Sequence, residues 1–257
     1  MLALTHVPSP RMELCQRTYV AHVPIEPDLV VRQHEEYCRV LRQCGAEVRI
    51  LEINRELPDC AFIEDTAIVL DEVAVLASMG TPSRHAETAG IEPELRKYRD
   101  VERVEPPATI EGGDVLRIGR TLLVGLSSRT NRAGISALEG IVGRYGYQIV
   151  PVPVRRCLHL KTACTALDEK RLLVNPAWLD APALRGFELL HVAEEEPWGA
   201  NVALVGSSVC IAADQVRTAD RIRKLGFDVR TIDLSEFAKA EGGVTCLSLL
   251  FEPDVGR

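Results

Sequence analysis

At 257 residues, 46% hydrophobic and 26% charged, the chain has ordinary globular composition and enough apolar material for one large domain or two small ones. Its net charge of −7 and pI near 5.5 argue against a nucleic-acid partner, because an acidic surface repels phosphate, and they make small cations electrostatically welcome. The longest uncharged run, 197–213, is interrupted by Asn201, Gly206 and two serines, so no membrane-spanning segment is expected.

The opening stretch "MLALTHVPSPRMELC" has no basic region ahead of an apolar one and does not read as a signal peptide. Eight cysteines are scattered without C-x-x-C spacing. They read as reduced thiols of a cytoplasmic protein and not as a disulfide framework.

In chain order, "MLALTHV" reads as a strand, 29–43 as a helix and "VRILEI" as a second strand. Three tight pairs of short apolar runs follow: "AIVL" (67–70) with "VAVLAS" (73–78), "VLRIG" (115–119) with "TLLVGLS" (121–127), and "NVALVG" (201–206) with "SVCIAA" (208–213). One or two residues join each pair, the mark of a hairpin, and "RLLVNPA" (171–177) is a further strand. Helical patterns over 83–98, 131–145 and 218–225 come next, each leading to another strand, "VERVE", "YQIVPVPV" or "FDVRTIDL".

The unit is strand–strand–helix–strand, beginning near 66, 114, 159 and 201, with a last strand near 245, a spacing of roughly 45 residues. The N-terminal strand, helix and strand supply what the last unit lacks. Five units joined by pairing the two chain ends give an α/β ring with pseudo-fivefold symmetry and no unpartnered edge at the closure. The alternative is an ordinary mixed α/β sheet.

At the entry to each unit stand "FIED" (62–65), "EGGD" (111–114), "LHLK" (158–161), "GAN" (199–201) and "GGVTC" (242–246). In a ring of equivalent units these positions converge on the axis. Two acidic clusters, His159, Asn201 and Cys246 then share one pocket. Gly242 and Gly243 let the backbone approach a ligand, and Cys246 opens a strand.

A cysteine beside a histidine makes a nucleophile with a general acid/base. Glu64, Asp65, Glu111 and Asp114 would repel a developing oxyanion but match the fork of a guanidinium, which favours substitution at a guanidinium carbon. The same carboxylates disfavour a resting thiolate, so a bound cation would activate its own nucleophile. Each feature has a plainer reading: a buried structural thiol, a half-buried histidine, a solvated turn. A zinc site from Cys157, His159 and Cys164 lacks ligand spacing, and no metal is expected.

The blocks "LPDCAFIEDTAIVLDEVAVLASMGTPSRHAET", "TIEGGDVLRIGRTLLVGLSSRTN", "PVPVRRCLHLKTA" and "AKAEGGVTCLSLLF" closely resemble the dimethylarginine dimethylaminohydrolases of the guanidine-modifying superfamily, over essentially the whole chain. The resemblance implies a five-bladed ββαβ propeller (pentein), one catalytic domain over 1–257, and hydrolysis of asymmetric dimethylarginine or monomethylarginine to citrulline without a cofactor. By the same resemblance Cys246 is the nucleophile, His159 the general acid/base and Glu111 the carboxylate orienting it. Glu64 and Asp65 match the substrate-binding pair, Asp65 holding the guanidinium. Arg84 and Arg129 grip the α-carboxylate, Asp59 and the Ala240 carbonyl take the α-amine, and Phe62 walls the pocket.

"SPRMELCQRTYVAHVP" (9–24) lies where the family keeps a mobile lid. His85 stands where relatives often have a second basic residue. Lys161 stands where the arginine deiminases have a guanidinium-binding aspartate, which favours a methylated substrate. The alternatives are a deiminase or hydrolase of arginine or another guanidino or ureido amino acid, and a non-catalytic arginine-binding protein. Monomer and homodimer are both open.

Overall fold

In the computed structural model, which describes residues 1–253, strand β1 (Leu2–His6) is followed by helix α1 (Pro27–Gln43) and strand β2 (Glu47–Leu51), which pairs parallel to β1. Pro27 pre-sets the first helical turn, Asp28 faces the positive helix end, and Val30, Tyr37, Cys38 and Leu41 recur at the spacing that buries one face. The helix stops before Gly45, whose φ of 91° is the left-handed conformation that a side chain would oppose.

The next unit is a hairpin of β3 (Ala67–Val69) and β4 (Val73–Leu76), helix α2 (Glu87–Leu95), and β5 (Asp100–Arg103) parallel to β4. The third repeats it with β6 (Val115–Ile118), β7 (Thr121–Leu126), α3 (Arg132–Val142) and β8 (Gln148–Pro153). Asn131 caps α3 by accepting from the Gly134 N–H at 2.8 Å, while Ile135, Leu138 and Val142 form its buried stripe.

The fourth unit departs from the pattern. It opens with the one-turn helix α4 (Leu160–Ala163), then β9 (Cys164–Ala166), β10 (Arg171–Val174) and β11 (Glu188–His191). Between β10 and β11 the crossover helix shrinks to a 3-10 turn, Ala181–Leu184. Pro176 and Pro182 lie in this crossover, where each removes a backbone donor and restricts the residue before it, disfavouring a long helix. Strands β9 and β11 were implied by the unit beginning near 159, but no apolar run or hairpin mark located them.

The last full unit holds β12 (Val202–Val205), β13 (Ser208–Ala212), α5 (Val216–Lys224) and β14 (Asp228–Ile232). After α6 (Ser235–Ala238), strand β15 (Ser248–Phe251) pairs antiparallel with β1, Leu2 opposite Phe251 and Thr5 opposite Ser248. Five three-stranded sheets result, each an antiparallel pair with a third strand parallel to its middle one; the pair is a hairpin in four of them and joins the two chain ends in the fifth. The opening strands β15 and β3, β6 and β9, and β9 and β12 contact one another around the axis. This is the pseudo-fivefold ββαβ propeller expected from the repeat.

One expectation fails locally. Cys246 does not open a strand: it lies in a 3-10 turn, Thr245–Leu247, and the strand begins at Ser248. The same single turn precedes the hairpins at Ile63–Thr66, Gly112–Asp114 and Leu160–Ala163. Four of the five units therefore enter their sheets through one tight helical turn, while β12 follows a non-helical turn at 197–200.

Tyr37 and Phe237 are fully buried behind the loop that carries Cys246. Burying one large aromatic side chain contributes roughly 2 kcal/mol. The Tyr37 hydroxyl lies 3.0 Å from the Val244 carbonyl, to which it donates, and 2.7 Å from Ser248 Oγ, tying α1 to the backbone on both sides of the cysteine.

Candidate active site

Asp65, His159 and Cys246, delivered by three of these entry turns, line one small, tightly closed hollow. Asp59, Phe62, Arg84, Arg129 and Ala240 line it as well. Glu111 stands behind the imidazole, outside the wall.

His159 is flanked by two carboxylates. Its Nε2 lies 2.7 Å from Glu111 Oε2, and its Nδ1 lies 3.7 Å from Asp65 Oδ1. Burial alone would lower the imidazole pKa, but Asp65, the bond to Glu111 and the charge of Asp114 outweigh it and raise it to about 9. Burial likewise opposes ionisation of Asp65 and Glu111, yet His159 and nearby arginines hold both below the usual carboxylate range. At neutral pH the resting site therefore holds an imidazolium between two carboxylates.

Each acid is fixed from behind. Asp65 accepts from the Gly113 N–H at 3.1 Å and from Arg84 Nη1 at 2.7 Å, and Glu111 accepts from the Gly80 N–H at 2.8 Å. Gly113 is required by the close approach: a Cβ there would come within 2.6 Å of Asp65 Oδ1 and 2.7 Å of His159 Nδ1. Asp114 has a supporting position, accepting from the Leu160 N–H at 2.8 Å and the Ser127 hydroxyl at 2.7 Å, and so anchors the turn after His159.

The half-buried Cys246 accepts a hydrogen bond from the Gly243 N–H at 3.3 Å. Burial, then the charges of Glu64 and Asp65, push its thiol up to about 12. The nucleophile rests protonated. The two glycines serve packing more than ligand approach, since a Cβ on Gly242 would strike the Phe62 ring and one on Gly243 would strike the Asn201 amide.

The two arginines differ. Arg84 donates to both Glu87 oxygens, to Asp65 and to the Phe62 carbonyl. It holds the acidic wall together, and the i,i+3 spacing of Arg84 and Glu87 was the only sequence hint of that pairing. Arg129 Nη1 is buried with no hydrogen-bond partner among the described residues, although it lies 3.5 Å from Glu111 Oε1. An unpaired buried donor costs roughly 1–3 kcal/mol, so this one is poised for an anion.

Glu64 and Asn201 do not join the hollow. Glu64 accepts from Lys161 Nζ and from the Thr245 hydroxyl, both at 2.8 Å, and faces a second cavity at the other end of the axis. Asn201 donates to the Lys161 carbonyl and to Thr245 Oγ1, and accepts from the Thr245 N–H. Lys161 thus points away from the hollow and lines the second cavity with Glu64. His85 bonds the Met79 carbonyl and is also outside it.

Residues 16–19 strap the mouth. The Gln16 N–H donates to Asp59 Oδ1 at 3.1 Å, and the Thr18 and Tyr19 N–H groups donate to the Glu241 carboxylate. Gln16, Leu158 and Glu241 line the hollow and were not foreseen, because nothing in their spacing marks them. Asp65, Glu111 and His159 also converge closely enough to hold a metal ion. A cation there would have to displace the imidazole proton and compete with Arg84 and the Gly80 and Gly113 N–H donors for the same oxygens.

A family model described as arginine deiminase matches residues 52–196. A dimethylarginine dimethylaminohydrolase of Streptomyces coelicolor is 38% identical over 249 residues, spanning 96% of this chain and 95% of that protein. One from Pseudomonas aeruginosa is 33% identical over 223 residues, spanning 86% and 88%. The solved structure of the Pseudomonas aeruginosa enzyme, as a serine-for-cysteine variant complexed with citrulline, superposes with a TM-score of 0.92 over 97% of this chain and 98% of that one, at 30% identity.

Proposed function

The chain belongs to the dimethylarginine dimethylaminohydrolase family, and from that premise we propose that Cys246, His159 and Asp65 carry out hydrolysis of methylated arginine on the following plan. The overall reaction is Nω-methylated arginine plus water to citrulline plus dimethylamine or methylamine. The observation that supports these roles best is the sharing of one small hollow by a thiol, an imidazolium, a fixed carboxylate and a buried arginine whose Nη1 has no hydrogen-bond partner among the described residues.

Asp65 accepts from the guanidinium nitrogens, and the α-carboxylate satisfies Arg129 Nη1. Asp59 and the Ala240 carbonyl take the α-amine, and Phe62 covers the aliphatic stem. A cation at ~4 Å from the sulfur contributes about 4 kcal/mol of attraction for the thiolate at an effective dielectric of 20. Substrate entry therefore favours loss of the thiol proton to solvent, since His159 is already protonated.

The thiolate attacks the guanidinium carbon, forming a C–S bond. His159, protonated and steadied by Glu111, gives its proton to the departing amine as the C–N bond breaks. The neutral imidazole then takes a proton from water as the water attacks the thiouronium carbon. Collapse breaks the C–S bond as the hydroxyl proton passes to the departing sulfur, releasing citrulline and restoring the resting thiol.

The reading extends to a single catalytic domain over 1–257 that works in the cytoplasm as a monomer or homodimer. It is supported by a site built wholly from this chain and by eight free cysteines. No helix among the described residues is long and apolar enough to cross a membrane. Citrulline release from asymmetric dimethylarginine, monomethylarginine and arginine tests the substrate, with Cys246→Ser as the control. Faster turnover of arginine would favour the second reading, an arginine-hydrolysing enzyme, which the match to the arginine deiminase model keeps in play.

A further inference from the structure

A larger cavity, of about 170 Å³, lies against the loop that carries Gly242 and Gly243 and shares Glu241 and Gly242 with the wall of the hollow. Val20, Trp198, Ala212, Leu234, Ala238 and Val244 make its wall mostly apolar. Asp214, Asp233 and Glu241 also line it, and among the described residues no lysine or arginine does. Gln215, at 6% exposure, is in the same wall, and its Oε1 is buried without a hydrogen-bond partner among the described residues. An orphaned acceptor costs free energy until a donor reaches it.

We infer that this cavity is a second binding site, for a small organic ammonium with an apolar, preferably aromatic, body. The apolar wall takes the body, and the Trp198 face favours a cation or ring laid against it. The three carboxylates select positive charge, and Gln215 Oε1 accepts from an ammonium N–H. An anion would meet only like charge.

The site is coupled to the nucleophile through shared backbone. Gly243, in its wall, donates the N–H that Cys246 Sγ accepts at 3.3 Å. Glu241, also in its wall, holds the N–H groups of Thr18 and Tyr19 and has a φ of 62°, a conformation that side chains resist. An occupant pressing on this loop changes the setting of the thiol and of the strap together. Binding is independent of the proposed reaction; only the coupling rests on it.

The test uses the full-length protein with phenethylamine, neutral 2-phenylethanol and anionic 3-phenylpropionate. Calorimetry measures the affinities, and the fluorescence of Trp198, whose ring packs on Trp178 at 4.8 Å, reports occupancy. Saturable binding of phenethylamine, stronger than of either control, is expected. Ala238→Phe, at an exposed wall position, fills the cavity and abolishes binding, whereas Gln215→Leu and Asp233→Asn each weaken it by roughly three- to tenfold. Saturating phenethylamine also changes the rate at which 2-chloroacetamidine alkylates Cys246, and this effect is lost in Ala238→Phe. Absence of binding, equal binding of 2-phenylethanol, or binding unaffected by Ala238→Phe overturns the site. Binding with an unaltered alkylation rate overturns the coupling alone.

Discussion

Nε2 of His159 lies 2.7 Å from Oε2 of Glu111, and neither side chain is open to water. This pair sets the charge state of the site. In Glu111→Gln the imidazole loses its charged partner, and its pKa falls below the value of about 9 it has in the intact site. The imidazolium needed to protonate the leaving amine then disappears at lower pH. The basic limb of the kcat–pH profile should move down, and kcat at pH 8 should drop by roughly a hundredfold. An unmoved limb in Glu111→Gln would separate His159 from that limb.

The same raised pKa has a consequence for stability. Unfolded, the imidazole titrates near 6.5; folded, near 9. Its contribution is fully present below 6.5 and is lost as pH rises through about 9. The thermal midpoint should therefore fall between pH 7 and 10 more in the wild type than in His159→Gln, a comparison that calorimetry makes directly.

Cys246 should discriminate between alkylating agents by charge. With a thiol pKa of about 12, only about one molecule in 10⁵ carries a thiolate at pH 7. Neutral iodoacetamide should react slowly, faster as pH rises, while the cation 2-chloroacetamidine, held by Asp65, should react much faster at neutral pH. Asp65→Asn should remove most of that preference. Equal rates for the two reagents in the wild type would argue against activation by the bound cation.

Arg129→Gln should raise KM for dimethylarginine by roughly thirtyfold or more, the worth of a buried charge-assisted hydrogen bond of about 2–3 kcal/mol. Steady-state kinetics with N,N-dimethylguanidine, which has no α-carboxylate, should show almost no change. A similar loss on both compounds would move Arg129 from carboxylate recognition to support of Glu111.

Lys161→Met leaves Glu64 buried without its cation, a change that typically costs 3–5 kcal/mol. Denaturant unfolding should show most of this recovered in Glu64→Gln/Lys161→Met. The preference for dimethylarginine over arginine should be unchanged in the double variant, because Lys161 Nζ points away from the hollow. A shift toward arginine would restore the role that the sequence position suggested.

Much was determined by sequence alone. Paired apolar runs specify hairpins, 3.6-residue stripes specify the crossover helices, and the spacing of the units implies a ring with His159, Cys246 and acids at equivalent entries. The short β9 and β11 escaped because three- and four-residue strands carry too little alternation to stand out from flanking loop. The run "TCLSLLF" hid the turn holding Cys246, since its composition suits a strand throughout.

Direction was decided only by tertiary structure. Glu64 and Asp65 are neighbours in one 3-10 turn, where successive side chains diverge by about 120°. Asp65 reaches the hollow and Arg84, while Glu64 turns to Lys161 and Thr245 at the other end of the axis. The residue types announce a cation site, but which acid meets the cation depends on the rotation of a single turn, and that is set by the sheets packed around it.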